Sequence, residues 1–222
     1  MTDLLLDYRR RVAEGVAAAL NGIDYSHADL LRHEAVHAEA VHLDLMAAAA
    51  CLYAAEALGG DAEAALPPAT ALALLETMAD VFRDISEEGY GRSPGLLDDW
   101  GMPRTLNAGD ALFVLAQQRV LDTSKDATVA LSAAERLDLA ARDLCESLPS
   151  ASVGNALLPA AMSLAALSSG SDAETAERFA DLGHAIAAGR GVEERLAALE
   201  LDPAQHERLQ ELTTYLSEVR AE

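Results

Sequence analysis

Lysine is nearly missing from this chain: Lys125 stands alone against fifteen arginines. The two basic types together number 16 against 37 acids, so the formal net charge is −21 at pH 7. Nucleic acid and anionic membrane surfaces both need a cationic footprint, and this charge argues against either as a partner. Aromatic residues make up only 4% of the chain and β-branched residues are few, which removes the usual stock of strand formers. The two cysteines, Cys51 and Cys145, are too few for a disulfide framework. Both sit in apolar helical patterns and are expected as small buried side chains. No apolar run approaches the ~20 residues that span a bilayer, because Asp, Glu, Arg or His interrupts each one. The N-terminal MTDLLLDYRRR places its arginines after its leucines, the reverse of a signal peptide, so a cytoplasmic protein is expected. A Gly-rich phosphate loop, a nucleophile elbow and a Cys-x-x-Cys are likewise missing.

What the chain does have is alanine and leucine, both strong helix formers, within an apolar fraction of 51%. Apolar residues recur at three- and four-residue spacing along most of its 222 residues, and no segment sustains strand alternation. The expected architecture is all-α, a single domain over 1–222 built as one helical bundle. The spacing predicts a helix over 3–20, ended by Asn21-Gly22, and a long one over 26–58, stopped by Gly59-Gly60. Pro67-Pro68 is expected to open a third helix that continues to Gly89. The Gly- and Pro-rich GYGRSPGLLDDWGMPR reads as a loop. Further helices are expected over 105–121, 132–147, 152–167, 172–189 and 203–219, with Ser132-Ala-Ala-Glu135 as a capping box.

Four segments then stand in a telling order: Ala54-Ala-Glu-Ala-Leu-Gly-Gly60, Phe82-Arg-Asp-Ile-Ser-Glu87, Arg92-Ser-Pro94 and Gly109-Asp-Ala-Leu112. Their order and spacing resemble the trans-isoprenyl diphosphate synthases, and AALSSGSDAETAERFADLGHAIAAG from Ala165 resembles the paired helices before that family's second aspartate-rich motif. The resemblance covers roughly residues 40 to 200 and implies the isoprenoid-synthase type of helical bundle.

The chemistry departs from the helical frame. The family's first motif, Asp-Asp-x-x-Asp, sets carboxylates at i and i+4 on one helix face to hold Mg²⁺. The matching positions here read Arg83-Asp84-Ile85-Ser86-Glu87, with a cation in place of the first acid and Arg83 four residues from Glu87. The second motif falls on Arg190-Gly191-Val192-Glu193-Glu194-Arg195, which keeps two acids among arginines. The Gly-Gly-Lys-Arg-x-Arg of the family falls near VHLDLM from Val41, without lysine, arginine or glycine. Its Lys-Thr pair falls in SVGNALL from Ser152, without a cation. A diphosphate in a partly desolvated site needs metals or arginines, and every one of these devices is missing or altered. Asp84, Glu87, Glu88, Glu193 and Glu194 remain as residual metal candidates. No cofactor is expected, with Mg²⁺ as the exception if a divergent site is active.

His33-Glu34-Ala35-Val36-His37 formally matches the His-Glu-x-x-His of zinc hydrolases, but no Gly-x-x-His follows, and His42 projects nearly opposite His33. A polar or interface face is the plainer reading of these histidines. Asp110 reads as a cap-region acid, Asp98 and Asp99 as loop acids facing water, and His184 and His206 as isolated.

The leading expectation is therefore a non-catalytic or strongly divergent homologue of the isoprenyl diphosphate synthases, acting as a partner subunit or an apolar-ligand binder. The alternative is an active prenyltransferase or terpene-type lyase with a variant metal site on Asp84, Glu87, Glu193 and Glu194. Through the resemblance, a homodimer or a heterodimer with an active synthase is expected. Its interface would use part of residues 107–119, including Leu112 or Leu115.

Overall fold

The computed structural model describes residues 2–21, 45–86, 96–147 and 153–221, and no strand occurs among them. Its helices are α1 (Thr2–Asn21), α2 (Met46–Ala57), α3 (Ala62–Ser86), α4 (Leu96–Trp100), α5 (Met102–Leu121), α6 (Ala127–Ser147), α7 (Val153–Ser168), α8 (Ala173–Ala188), α9 (Val192–Ala197) and α10 (Pro203–Ala221).

Two helices organise the rest. α3 packs on α1, α2, α5 and α7, and α7 packs on α2, α3, α6 and α8. α2, with the sequence MAAAACLYAAEA, is apolar on every side, and all of its residues but Glu56 are buried. A helix without a polar face has to be enclosed, and here its run of alanines lets the surrounding helices come close. α7 and α8 approach backbone to backbone, and a Cβ on Gly183 would stand 2.5 Å from Pro159 Cα and 2.6 Å from Leu158 O. One contiguous core runs from Leu5 of α1 to Leu216 of α10.

The helix directions follow from two turns. The turn at 58–61 reverses the chain, so α3 starts beside the end of α2. At the end of α7 the Ser169 hydroxyl donates to Ala55 O at 3.2 Å, which places that end beside the same turn. After the turn at 169–172, α8 starts there too. α3 and α8 therefore begin together and run towards the opposite end of the bundle.

Several helix boundaries differ from the sequence reading. α3 starts at Ala62, and Pro67 and Pro68 lie inside it. Asp61 provides the start signal, its carboxylate accepting from Glu63 N at 3.0 Å. The prolines leave the Glu63 and Ala64 carbonyls without intrahelical donors, and both residues are exposed, so water can take over. α2 is not continuous with an earlier helix. Leu45 has φ 48°, a left-handed conformation through which no α-helix passes. Its side chain is buried, and that burial offsets a strain of roughly 1–2 kcal/mol.

α5 begins at Met102 with Pro103 in its first turn, which puts Asp110 in mid-helix and not at a cap. α6 begins at Ala127, where Asp126 accepts from Thr128 N at 2.8 Å, and Ser132 is an interior residue without a capping role. The stretch read as a loop contains the short helix α4, and α9 follows Gly191 where no helix was expected. α8 has the expected ends: Asp172 accepts from Thr175 N at 2.8 Å, and Gly189 takes φ 65°. Cys51 is buried as expected but Cys145 is exposed, because it falls on the outer side of α6.

Candidate functional site

The two acidic motifs of the resemblance belong to the end of the bundle where α3 and α8 finish. Arg83 lies in the last turn of α3. Its guanidinium holds Asp80, one turn back, at 2.5 Å, with only 17% and 15% of the two side chains exposed. The expected pairing with Glu87 lies outside the described residues. So do Glu88, His33 and His37, and the side chain of Asp84 is not among those described.

Glu193 and Glu194 occupy the first turn of α9, both exposed, where acids suit the helix dipole. Arg195 beside them faces Asp181 of α8 at 3.8 Å. Glu193 opens onto a cleft of about 760 Å³ between α9 and α10 that also holds His206 and Glu218. Among the described residues no group of three or more His, Cys, Asp or Glu is placed to hold a metal ion. Magnesium needs a near-octahedral oxygen shell, and a guanidinium already bonded to a carboxylate stands at the head of the first motif. The described donors do not fit that ion.

The described positions among those matched to diphosphate-binding cations are apolar or neutral. Leu45 and Met46 are buried, as is Val153, and Asn155 is half-buried at the start of α7. Asp98 is exposed on α4, as expected of it, and His184 lies exposed on α8.

A polar cluster that the sequence reading did not single out sits at the other end of the bundle. Glu56, the acid of Ala54-Ala-Glu-Ala-Leu-Gly-Gly60, accepts a short hydrogen bond from the Tyr8 hydroxyl. Arg208 of α10 donates to Glu56 O at 3.0 Å and lies 5.5 Å from the ring centre of Tyr53. Tyr53 in turn donates to Glu211 at 3.1 Å. Burial first, then the bond to Glu56, holds the Tyr8 hydroxyl well above the ordinary tyrosine range. The cluster fastens the first and last helices to α2. The visible signal was a lone acid inside an apolar helix, which must find partners when buried.

Several solved structures with this arrangement of helices bear the names of prenyl-transfer enzymes. A geranylgeranyl pyrophosphate synthetase from the archaeon Geoglobus acetivorans superposes with a TM-score of 0.74 at 16% identity, over 97% of this chain and 99% of that one. A geranyltransferase from Legionella pneumophila gives 0.73 at 14% identity, over 100% and 98%. A polyprenyl synthetase from Streptomyces coelicolor gives 0.69 at 22% identity, over 91% and 68%. The chain has the isoprenyl diphosphate synthase fold. Neither a family model nor a curated protein matches its sequence.

Within that isoprenyl diphosphate synthase fold several inward side chains of the described helices are fully enclosed. Leu74 and Leu75 of α3, Ala161 of α7, and Leu182 and Ile186 of α8 have 0% exposure, so no water-sized void adjoins them. Leu112 and Leu115, expected at a subunit interface, are buried in the chain's own core, because α5 turns them towards α3. The outer faces of α5 and α6 carry other apolar residues: Val114 at 54%, Leu121 at 44% and Leu131 at 61% exposure. A hydrogen bond from Gln117 to Asp138, 2.5 Å, ties the two helices together beside them. None of the described helices is long and apolar enough to cross a membrane.

Proposed function

We propose that this chain is a non-catalytic member of the isoprenyl diphosphate synthase group that serves as a partner subunit in isoprenoid metabolism. The observation that carries this reading is the Arg83–Asp80 pair at the head of the first motif. A metal-bound diphosphate needs free carboxylates there, and the position is taken by a cation with its own counter-charge. The apolar face of α5 and α6 supports a homodimer or a heterodimer with an active synthase.

Incubation of the purified chain with Mg²⁺, isopentenyl diphosphate and dimethylallyl, geranyl or farnesyl diphosphate is expected to give no elongated product. Turnover by the chain alone, abolished in Asp84→Ala, would establish the active prenyltransferase with a variant site and end this reading.

A further inference from the structure

The cleft of about 760 Å³ between α9 and α10 has two walls of unlike chemistry. Its volume falls in the ~300–1,000 Å³ range of clefts that take small ligands. The short turn at 198–202 joins the two helices and so closes one end of the space between them. A cleft closed at one end suits a short chain-like molecule better than a peptide running through.

The α9 wall is apolar, made of Val192, Leu196 and Ala197, and Leu196 is buried at its base. The α10 wall is polar: Thr213 and Thr214 lie four and three residues before Ser217, on one face of the helix. Their hydroxyl hydrogens are taken up within α10. Thr213 and Thr214 donate to Gln210 O at 3.0 and 2.8 Å, and Ser217 donates to Thr213 O at 2.7 Å. A hydroxyl that has given its hydrogen keeps its lone pairs, so three oxygens of this wall are left to accept. The carboxylates of Glu193 and Glu218 add to them, and only His206 and Gln210 of the lining carry side-chain N–H groups.

No arginine or lysine lines the cleft. The arginines of α9 and α10 whose side chains are described are engaged elsewhere, Arg195 facing Asp181 at 3.8 Å and Arg208 donating to Glu56 O at 3.0 Å. A second hollow on α10 shares Glu218 with the first and adds Glu207 and Glu211, again without a basic residue. The local charge is thus of one sign, in a chain whose formal net charge is already −21.

We infer that this cleft binds a linear aliphatic polyamine. Its methylenes lie on Val192, Leu196 and Ala197, and its ammonium groups meet the two carboxylates and the hydroxyl oxygens. An ammonium only donates, which matches a wall that mostly accepts. An anion would meet acceptors and acids. A divalent metal would need a near-octahedral oxygen shell, and no group of three or more metal-ligating side chains is placed for one among the described residues. The net charge of the chain raises the local concentration of cations, and the apolar wall is what selects among them. The inference makes no use of the α5 and α6 face and does not depend on the partner-subunit reading.

The test is titration of the full chain with spermidine, read by backbone amide NMR, beside magnesium chloride and sodium chloride of equal ionic strength. Spermidine is expected to shift the amides of Val192, Leu196, Thr214 and Ser217 saturably, and the two salts to give no saturable shift there. Glu193→Gln and Glu218→Gln are each expected to weaken binding about 2- to 5-fold, the worth of an exposed ion pair, and the double variant to weaken it more than either. Both glutamates are exposed, so the fold survives their removal. Val192→Ser is expected to weaken spermidine binding through the lost methylene contact, whereas Glu146→Gln, exposed on α6, is expected to leave it unchanged. Shifts equal to those in magnesium chloride would show a counterion atmosphere only and overturn the assignment. Absence of saturation, or undiminished binding in the double variant, overturns it as well.

Discussion

The ring of Phe82 covers Gly109 so closely that a Cβ at position 109 would stand 2.5 Å from Phe82 Cε1. The residue before the altered first motif thus packs against the glycine of Gly109-Asp-Ala-Leu112, two segments that the sequence separates and the α3–α5 contact joins. Gly109→Ala is expected to cost about 1–3 kcal/mol in urea denaturation, because the half-buried ring has to swing aside. Gly183→Ala is expected to cost more, since the atoms in its way are backbone of α7 and cannot swing. A smaller loss at 183 than at 109 would contradict this account of the α7–α8 contact.

In the proposed dimer the outer face of α5 carries subunit contacts, while its inner face carries core contacts. Val114→Arg and Leu131→Arg are expected to leave the helical circular dichroism and thermal transition nearly unchanged while dissociating the assembly in sedimentation equilibrium. Leu112→Arg is expected to unfold the chain, because it buries an unpaired charge at several kcal/mol. A wild-type chain that stays monomeric at micromolar concentration, alone and with an active synthase, would remove the basis for the partner role.

Alkaline pH is expected to weaken the fold in a defined sense. Burial pushes the Cys51 thiol up to about 12, and burial with the Glu56 bond raises Tyr8 as well. Both groups hold their protons more tightly when folded, so their contribution is complete below the unfolded values and is lost as pH rises. Unfolding free energy should therefore fall above roughly pH 8.5–10, with a slope approaching ~1.4 kcal/mol per pH unit for each group. Cys51→Ala is expected to flatten the lower part of that fall and Tyr8→Phe the upper part. A pH profile identical in the two variants and the parent would refute the assignment.

The two thiols are expected to react in sequence with Ellman's reagent. Cys145, exposed on α6, should be modified in the native protein, and Cys51, buried in α2, only at the rate of unfolding. Two equivalents reacting at one fast rate would mean that α2 is not enclosed as described.

Periodicity and composition determined the existence of the long helices by themselves, though not all of their ends nor the short α4 and α9. Alanine and leucine at three- and four-residue spacing admit no competing strand, and local stops such as Asp172 and Gly189 act within one turn of chain. The order of motif segments was likewise enough to name the fold, because segment order and spacing follow the chain itself. Tertiary structure decided whatever depends on which side of a helix is covered. It carried α3 through Pro67 and Pro68, since packing on six neighbouring helices outweighs two lost backbone bonds. It turned Leu112 and Leu115 inward and Cys145 outward, a choice that apolar spacing alone leaves open. It gave Arg83 the carboxylate of Asp80, one of three acids within a turn of it in the sequence. It also assembled the Glu56 cluster from residues more than a hundred positions apart, for which local patterning carries no signal: hydrogen bonds between such residues are specified only once the helices have packed.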